Sequence, residues 1–370
     1  MKEIKWAVLG CGVIANEMAV ALQKNGKNIY AVGNRTHEKA AAFAEKYGIG
    51  KVYDDFHEMF TDPEVDVIYI TTPHNTHLGF MKEAIANGKH ILVEKSITLN
   101  SDELDEAIAL AKEKGVIIGE AMTIYHMPIY KELKKILDSG RLGRVNLITM
   151  NFGSFKEYNM KNRFFNRNLA GGAMLDIGVY ALSFIRWFFD SKPDQLLSQV
   201  KPAPTGVDEQ AGLLLTNQEG QMASVMLSLH SKQPKRGMVS CENGFIEIME
   251  YPRAWEAKIT DASTGESEII KAGDNADALA YELADMERAI NGDASAMHLD
   301  YTKDVMDLMT SFRRTWGYAY PEEKKKDSHT KSPCPAHIRC RAGALLFTCN
   351  TLQFSFSVIP HQSALRYARP

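Results

Sequence analysis

The chain has 370 residues, of which 45% are hydrophobic, 24% charged and 9% aromatic, with 43 Lys+Arg against 46 Asp+Glu for a formal charge of −3. That length predicts about two domains of ~100–200 residues each. The composition excludes wholesale disorder, five cysteines are too few for a disulfide scaffold, and the small net charge gives no argument for nucleic acid or a membrane surface. The charge is unevenly placed. Residues 1–323 hold 35 basic and 45 acidic side chains, a net of −10, whereas residues 324–370 hold eight basic residues and one acid, Asp327, a net of +7.

At the N-terminus, Lys2 and Lys5 precede an apolar run over residues 6–15. Gly10, Gly12 and the following Asn16-Glu17 argue against a secretory signal, so a cytoplasmic protein is expected. Runs at 4–10 (IKWAVLG), 29–33 (IYAVG), 67–71 (VIYIT), 91–94 (ILVE) and 116–119 (VIIG) read as buried strands alternating with helical patterns at 38–47, 78–87 and 101–114. In the last of these, Ser101 suits the N-cap, Asp102 and Glu103 the first turn, and Gly115 the C′ position. Near-continuous apolar strands alternating with helices predict a doubly wound parallel sheet over residues 1–124.

After Pro128 the pattern changes. A helix at 129–138 leads through the Gly140 and Gly143 turn to a strand at 145–150, and a strongly apolar helix follows over 173–189. Strands are expected at 211–216, 222–229, 244–249 and 255–260, and helices at 276–290 and 302–316 close the region. Short turns between successive strands predict an α+β domain, residues 125–323, on a largely antiparallel open sheet. Residues 342–361 lack Asp, Glu, Lys and Arg, but Thr348, Asn350 and Gln353 among others break the apolar content, so no membrane span is expected there.

Gly10-Cys11-Gly12-Val13-Ile14-Ala15 fits G-x-G-x-x-A between a predicted strand and a predicted helix. In that setting the first glycine permits a tight turn and the second lets backbone approach a pyrophosphate, while the helix start offers free N–H groups to the anion. Gly10, Gly12, Val13 and Ile14 are therefore candidate cofactor contacts, with Cys11 a small filler, and the first domain reads as a Rossmann domain. The second strand runs into Asn34 and Arg35. A neutral residue followed by a guanidinium, where a carboxylate would serve the ribose of NAD, favours NADP(H).

Three further stretches complete the pattern: Thr72-Pro73-His74-Asn75-Thr76-His77, Glu94-Lys95, and Gly171-Gly172-Ala173-Met174-Leu175-Asp176-Ile177-Gly178-Val179-Tyr180. With the glycine motif and in this order, they resemble the Gfo/Idh/MocA oxidoreductases from residue 4 to about Glu323. Tyr180, where many members carry His, is similar to the dihydrodiol dehydrogenases and NADP-dependent D-xylose dehydrogenases of that family. The resemblance implies an oxidoreductase acting on a sugar or polyol, with catalytic roles for Lys95, Asp176 and Tyr180. It also implies cofactor contacts from Thr71, Thr72, Pro73, His74, His77, Glu94 and Lys95, and a homodimer formed through the second sheet, with the faces at 145–150 and 222–229 as its candidates.

The residues carry that chemistry on their own terms. Lys95 stands at the carboxyl end of a strand, where doubly wound sheets bind ligands. An ammonium beside Tyr180 favours its phenolate and so acid–base work, and Asp176 lies four residues before Tyr180 on one helix face, suited to orienting a hydroxyl. His74 and His77 lack the further ligands a zinc site needs, so no metal is expected.

Against the family pattern, Ser96 stands where Pro usually follows Glu-Lys and is expected to loosen that turn. Tyr125 replaces a frequent arginine. Thr123 replaces a tryptophan of the dihydrodiol dehydrogenases, which favours a sugar over an aromatic substrate. Arg163, before Phe164-Phe165, could reach substrate, with a surface arginine the safer reading. Two relatives in function remain as alternatives: a glycosidase that uses NAD transiently, and a non-catalytic regulator of the yeast galactose type. Nothing in the family corresponds to residues 324–370, which read as a disordered, non-native extension; Cys334, Cys340 and Cys349 are poorly spaced for zinc.

Overall fold

The computed structural model describes residues 3–323. The basic extension, and every expectation attached to it, falls outside the described residues. Strands β1 (Trp6–Leu9), β2 (Ala31–Gly33), β3 (Lys51–Tyr53), β4 (Val67–Ile70), β5 (His90–Glu94) and β6 (Ile118–Ala121) form a wholly parallel sheet in the order β3-β2-β1-β4-β5-β6. Every residue of β1 and β4 is buried, because helices cover both faces. The chain reverses direction across the sheet between β1 and β4, which opens a crevice at their carboxyl ends. The short edge strand β3 is missing from the sequence reading: its Lys51 and Val52 are only half-buried, so no apolar run marks it.

The helix at Ser101–Lys114 ends as expected at Gly115, left-handed at φ +65°. Its start is corrected by one residue. Asn100 is the N-cap, accepting the Glu103 N–H at 2.9 Å, while the Ser101 N–H donates to Thr310 Oγ1 at 2.9 Å.

The second sheet holds β7 (Val145–Gly153), β8 (Gln195–Pro202), β9 (Asp208–Thr216), β10 (Met222–Ser228), β11 (Gln233–Cys241), β12 (Gly244–Met249), β13 (Glu256–Asp261) and β14 (Ser267–Lys271) in the order β14-β13-β12-β11-β7-β10-β9-β8. All its pairings are antiparallel except β7 with β10, which is parallel. The sequence reading lacks β8, β11 and β14. The outer two, β8 and β14, are mostly exposed, and β11 opens with the polar stretch Gln233-Pro234-Lys235-Arg236 and has only a short apolar run after it.

One face of this sheet packs on the helix Val179–Phe188, where Phe184 meets Tyr130, Phe188 and Tyr251 ring to ring at 4.9–6.0 Å. The stretch 167–188 is long and apolar enough to cross a membrane by composition, but 83% of its most apolar window is buried inside this core. The other face of the sheet is open: Leu147, Leu197, Leu214, Met222 and Met226 are 37%, 68%, 38%, 41% and 57% exposed.

The apolar helix expected over 173–189 is not regular. Residues Met174–Gly178 form a wide turn in which the Val179 N–H bonds Met174 O, and regular α-helix begins only at Val179. Such wide turns concentrate at functional sites. Its entrance is fixed by Asp208, whose Oδ2 accepts the Met174 N–H at 2.5 Å. Gly172 beside it has φ +128°, and a Cβ there would stand 2.2 Å from Asp208 Oδ1.

Candidate active site

The crevice between β1 and β4 is walled by the glycine motif. Gly10 has φ +108°, its N–H donates to Gly33 O at 2.8 Å, and a Cβ on it would lie 2.5 Å from Thr71 Oγ1. Space in front of Gly12 is open to 4 Å. The helix Val13–Lys24 that follows has no side-chain cap, Val13 is 79% exposed and Ile14 is half-buried. An uncapped helix start behind an open glycine is what a dinucleotide pyrophosphate requires, so the motif fits the cofactor. Cys11 is half-buried, and burial pushes its thiol up to about 11, which makes it unreactive filler.

At the end of β2, Asn34 Nδ2 donates to Thr36 O at 3.0 Å and shapes the turn, leaving the Arg35 side chain exposed. After β4, Thr71 Oγ1 donates to Leu9 O at 3.1 Å, and Thr72 and Thr76 share a hydroxyl–hydroxyl bond of 2.7 Å beside the exposed Pro73. His74 and His77 stack edge to face at 5.7 Å, but they serve different neighbours. His74 Nε2 lies 3.0 Å from Lys95 O, and His77 lies 3.1 Å from Ser96 O and 2.8 Å from Thr72 O. Burial lowers the pKa of both, so they are neutral props under the loop at Lys95. Among the described residues no group of three His, Cys, Asp or Glu side chains is placed to hold a metal ion.

Lys95 is the point where the two sheets' elements meet. Its Nζ donates to Asp176 O at 2.7 Å, lies 3.5 Å from Asp176 Oδ1, and sits 4.7 Å from the centre of the Tyr180 ring. Burial alone would lower the pKa of Lys95, but the charges of Tyr180, Asp176 and Glu94 outweigh it and hold the ammonium protonated. For Asp176, burial favours the neutral acid, yet the charges of Lys95 and Arg163 prevail and keep it ionised. Tyr180 corrects the sequence reading. Lys95 does favour its phenolate, but burial is the larger effect and leaves the phenol above its usual pKa.

Glu94, the neighbour of Lys95, takes the Tyr69 hydroxyl and is raised by burial, so it fastens β5 to β4. Ser96 does not loosen the turn. It is fully buried, and its hydroxyl donates to Leu175 O at 2.9 Å. Tyr125 is interior, packed among Trp187, His298 and Tyr301 at 5.7–6.0 Å. Thr123 is buried with its hydroxyl on Pro252 O at 2.6 Å, so it offers no group to a substrate.

Arg163 is more than surface. Its Nη1 reaches Asp176 Oδ1 at 3.3 Å, a contact across thirteen residues that no spacing rule announces.

Residues 4–122 match the family model described as "Oxidoreductase family, NAD-binding Rossmann fold", and residues 130–247 match the "GFO/IDH/MocA C-terminal domain" model. A trans-1,2-dihydrobenzene-1,2-diol dehydrogenase from Xenopus tropicalis is 31% identical over 248 residues, 66% of this chain and 74% of the relative. The chain belongs to the Gfo/Idh/MocA oxidoreductases. Its mouse relative of the same name is 26% identical over 333 residues, 87% of this chain and 99% of the relative.

The family fold is seen in a point mutant of a 3-ketoreductase from Actinomadura kijaniata in complex with TDP-benzene and NADP. That structure gives a TM-score of 0.76 at 20% identity over 85% of this chain and 98% of that one. An aldose-aldose oxidoreductase from Caulobacter crescentus gives 0.75 at 22% identity over the same shares. As a Gfo/Idh/MocA member, this chain is an NAD(P)-dependent oxidoreductase with a Rossmann domain and a second, mostly antiparallel sheet.

Proposed function

We propose that this protein transfers a hydride between NADP(H) and a carbinol or carbonyl carbon of a sugar or polyol, with Tyr180 as the acid–base group and Lys95 its partner. The observation that carries the reading is the Lys95 ammonium held between the Asp176 carboxylate and the face of Tyr180, at the carboxyl end of β5. A nicotinamide bound in the crevice supplies the hydride donor or acceptor. The chain's own residues manage the proton and the orientation. In reduction the neutral Tyr180 hydroxyl gives its proton to the substrate oxygen as that oxygen gains charge, and Lys95 stabilises the phenolate left behind. In oxidation the phenolate takes the hydroxyl proton back. Asp176, kept ionised, accepts a hydrogen bond from a neighbouring substrate hydroxyl.

NADP(H) is supported by the exposed Arg35 next to an uncharged Asn34, a pair suited to a 2′-phosphate. A homodimer through the open face around Met222 and Met226 is supported by the apolar surface left uncovered there. Sedimentation of Met226→Lys, expected to run as a monomer where the native protein runs as a dimer, tests it.

Purified protein incubated with NADP⁺ or NAD⁺ and a panel of aldoses, polyols and trans-dihydrodiols, followed by nicotinamide absorbance, tests the reaction. Net reduction of NADP⁺ with a sugar is expected. Release of a glycoside leaving group without net reduction would instead establish the transient-NAD glycosidase.

A further inference from the structure

Two cations outside the Lys95–Asp176–Tyr180 group stand near it, and both lie on the loop that follows β7. Lys156 Nζ is 4.3 Å from the centre of the Phe164 ring, and the Arg163 guanidinium is 4.1 Å from the same centre. The ring therefore holds both charges together. Arg163 then extends to Asp176 Oδ1 at 3.3 Å, the oxygen that lies 3.5 Å from Lys95 Nζ. Lys235 on β11 stands 5.5 Å over the ring of Phe152, which packs on Tyr180 at 6.1 Å.

These charges do not balance. Lys235 is paired with Glu250 at 2.8 Å, and Asp176 must serve both Lys95 and Arg163. Among the described residues no carboxylate lies within ion-pair distance of Lys156. The half-buried Lys156 ammonium binds its proton less tightly than usual, first through burial and then through Arg163, Lys95 and Lys235, with Asp176 alone opposing.

The loop is held in this shape. The Lys156 N–H donates to Leu229 O at 2.8 Å, its carbonyl lies 3.1 Å from His230 Nδ1, and Asn162 Oδ1 accepts the Phe164 N–H at 3.0 Å. Lys95, Arg163 and Lys156 act on one carboxylate, and Arg163 spends a single one of its five donors on Asp176, which leaves positive charge and free donors for an incoming anion. An oxidised nicotinamide would bring a further positive charge to the same end of the sheet.

We propose that the substrate carries an anionic group on its sugar or polyol skeleton, a carboxylate or a phosphate, and that Lys156 and Arg163 bind it. The proposal rests on the reading of Lys95 and Tyr180 as the reacting end and adds the chemistry of the far end. Lys156 and Arg163 are specificity-determining residues here: they choose the substrate and take no part in moving the proton.

The test uses the full chain at saturating NADP⁺ and three substrates sharing one skeleton: a neutral aldose, its uronate and its terminal phosphate ester. One of the anionic forms is expected to show kcat/KM about 30-fold or more above the neutral aldose, as a charge-assisted hydrogen-bonded contact of this kind is worth. Lys156→Gln is expected to bring that ratio below about 3-fold, Lys156→Arg to keep it, and added salt to shrink it. The two anionic arms separate carboxylate from phosphate.

Preference for the neutral aldose, or a Lys156→Gln variant that slows all three substrates equally, overturns the proposal while leaving the dehydrogenase reading standing. Absence of turnover with every carbinol overturns the dehydrogenase reading instead. In that case calorimetry with inorganic phosphate and with the uronate, at saturating NADP⁺, decides the anion site separately: binding weakened about 10-fold or more by Lys156→Gln supports it, and binding unchanged by the substitution or never detected overturns it.

Discussion

The two sheets solve the problem of placing reactive groups in different ways. In the parallel sheet every strand points its carboxyl end at one crevice, so Gly10, Asn34, Thr71 and Lys95 arrive together because each follows a strand of the same direction. The second sheet has no such common end. Its contribution comes from the irregular pieces around it: the wide turn at Met174–Gly178, the loop bearing Lys156 and Arg163, and the first turn of the helix at Val179. Topology gathers the strand-end residues, and irregular backbone brings Asp176 and Tyr180 to Lys95.

The sharpest test of that division is Tyr180→Phe. It should cost about 10²- to 10⁴-fold in kcat while leaving cofactor binding to the parallel lobe intact, measured by turnover beside a titration with NADPH. A variant with full activity would remove Tyr180 from the proton's path and break the comparison.

The next largest effect is on folding. Gly172→Ala must place a Cβ against Asp208 at a φ that favours glycine, and should destabilise by about 4 kcal/mol in a denaturant titration. Glu120 on β6 gives a pH-dependent test. Burial pushes its carboxyl up to about 7, against the opposing hydrogen bonds from the Ile97 N–H and the Thr302 hydroxyl. A carboxyl raised on folding contributes its stability in the protonated form, below an unfolded pKa of about 4.3, and loses it as pH rises through 7. The native protein should therefore be about 3 kcal/mol less stable at pH 8 than this group permits at pH 4, and Glu120→Gln should flatten that slope in urea midpoints taken across the range.

The smallest effect separates two adjacent residues. Asn100→Ala should cost about 1 kcal/mol through the lost cap, and Ser101→Ala clearly less, because Ser101 uses its backbone N–H and not its hydroxyl in the contact with Thr310.

The same division explains what the sequence makes legible. Strands buried on both faces announce themselves as apolar runs, so β1, β4 and β5 and the glycine motif between β1 and its helix are readable, and the strand ends then locate Lys95. Edge strands such as β3, β8 and β14 bury too little to leave a pattern. The helix containing Asp176 and Tyr180 is visible as an apolar stretch, but its wide first turn is imposed by Asp208, a residue over thirty positions away. Arg163 is readable only as one of two options, substrate contact or surface, and Lys156 has no local signal: each acquires meaning when Phe164 and Asp176 are brought beside it. The net effect on Tyr180 is likewise hidden, because proximity to Lys95 is legible and depth of burial is not.

The way Lys95 is held has a consequence for how such an enzyme changes over generations. Lys95 and Ser96, adjacent in sequence, fasten onto the adjacent backbone oxygens of Asp176 and Leu175. Those oxygens belong to the main chain and persist whatever side chain stands at 176. If Asp176 and Lys95 act as proposed, the lineage is free to exchange the side chain offered to the substrate while the ammonium keeps its address, so new specificities open to it without rebuilding the chemistry.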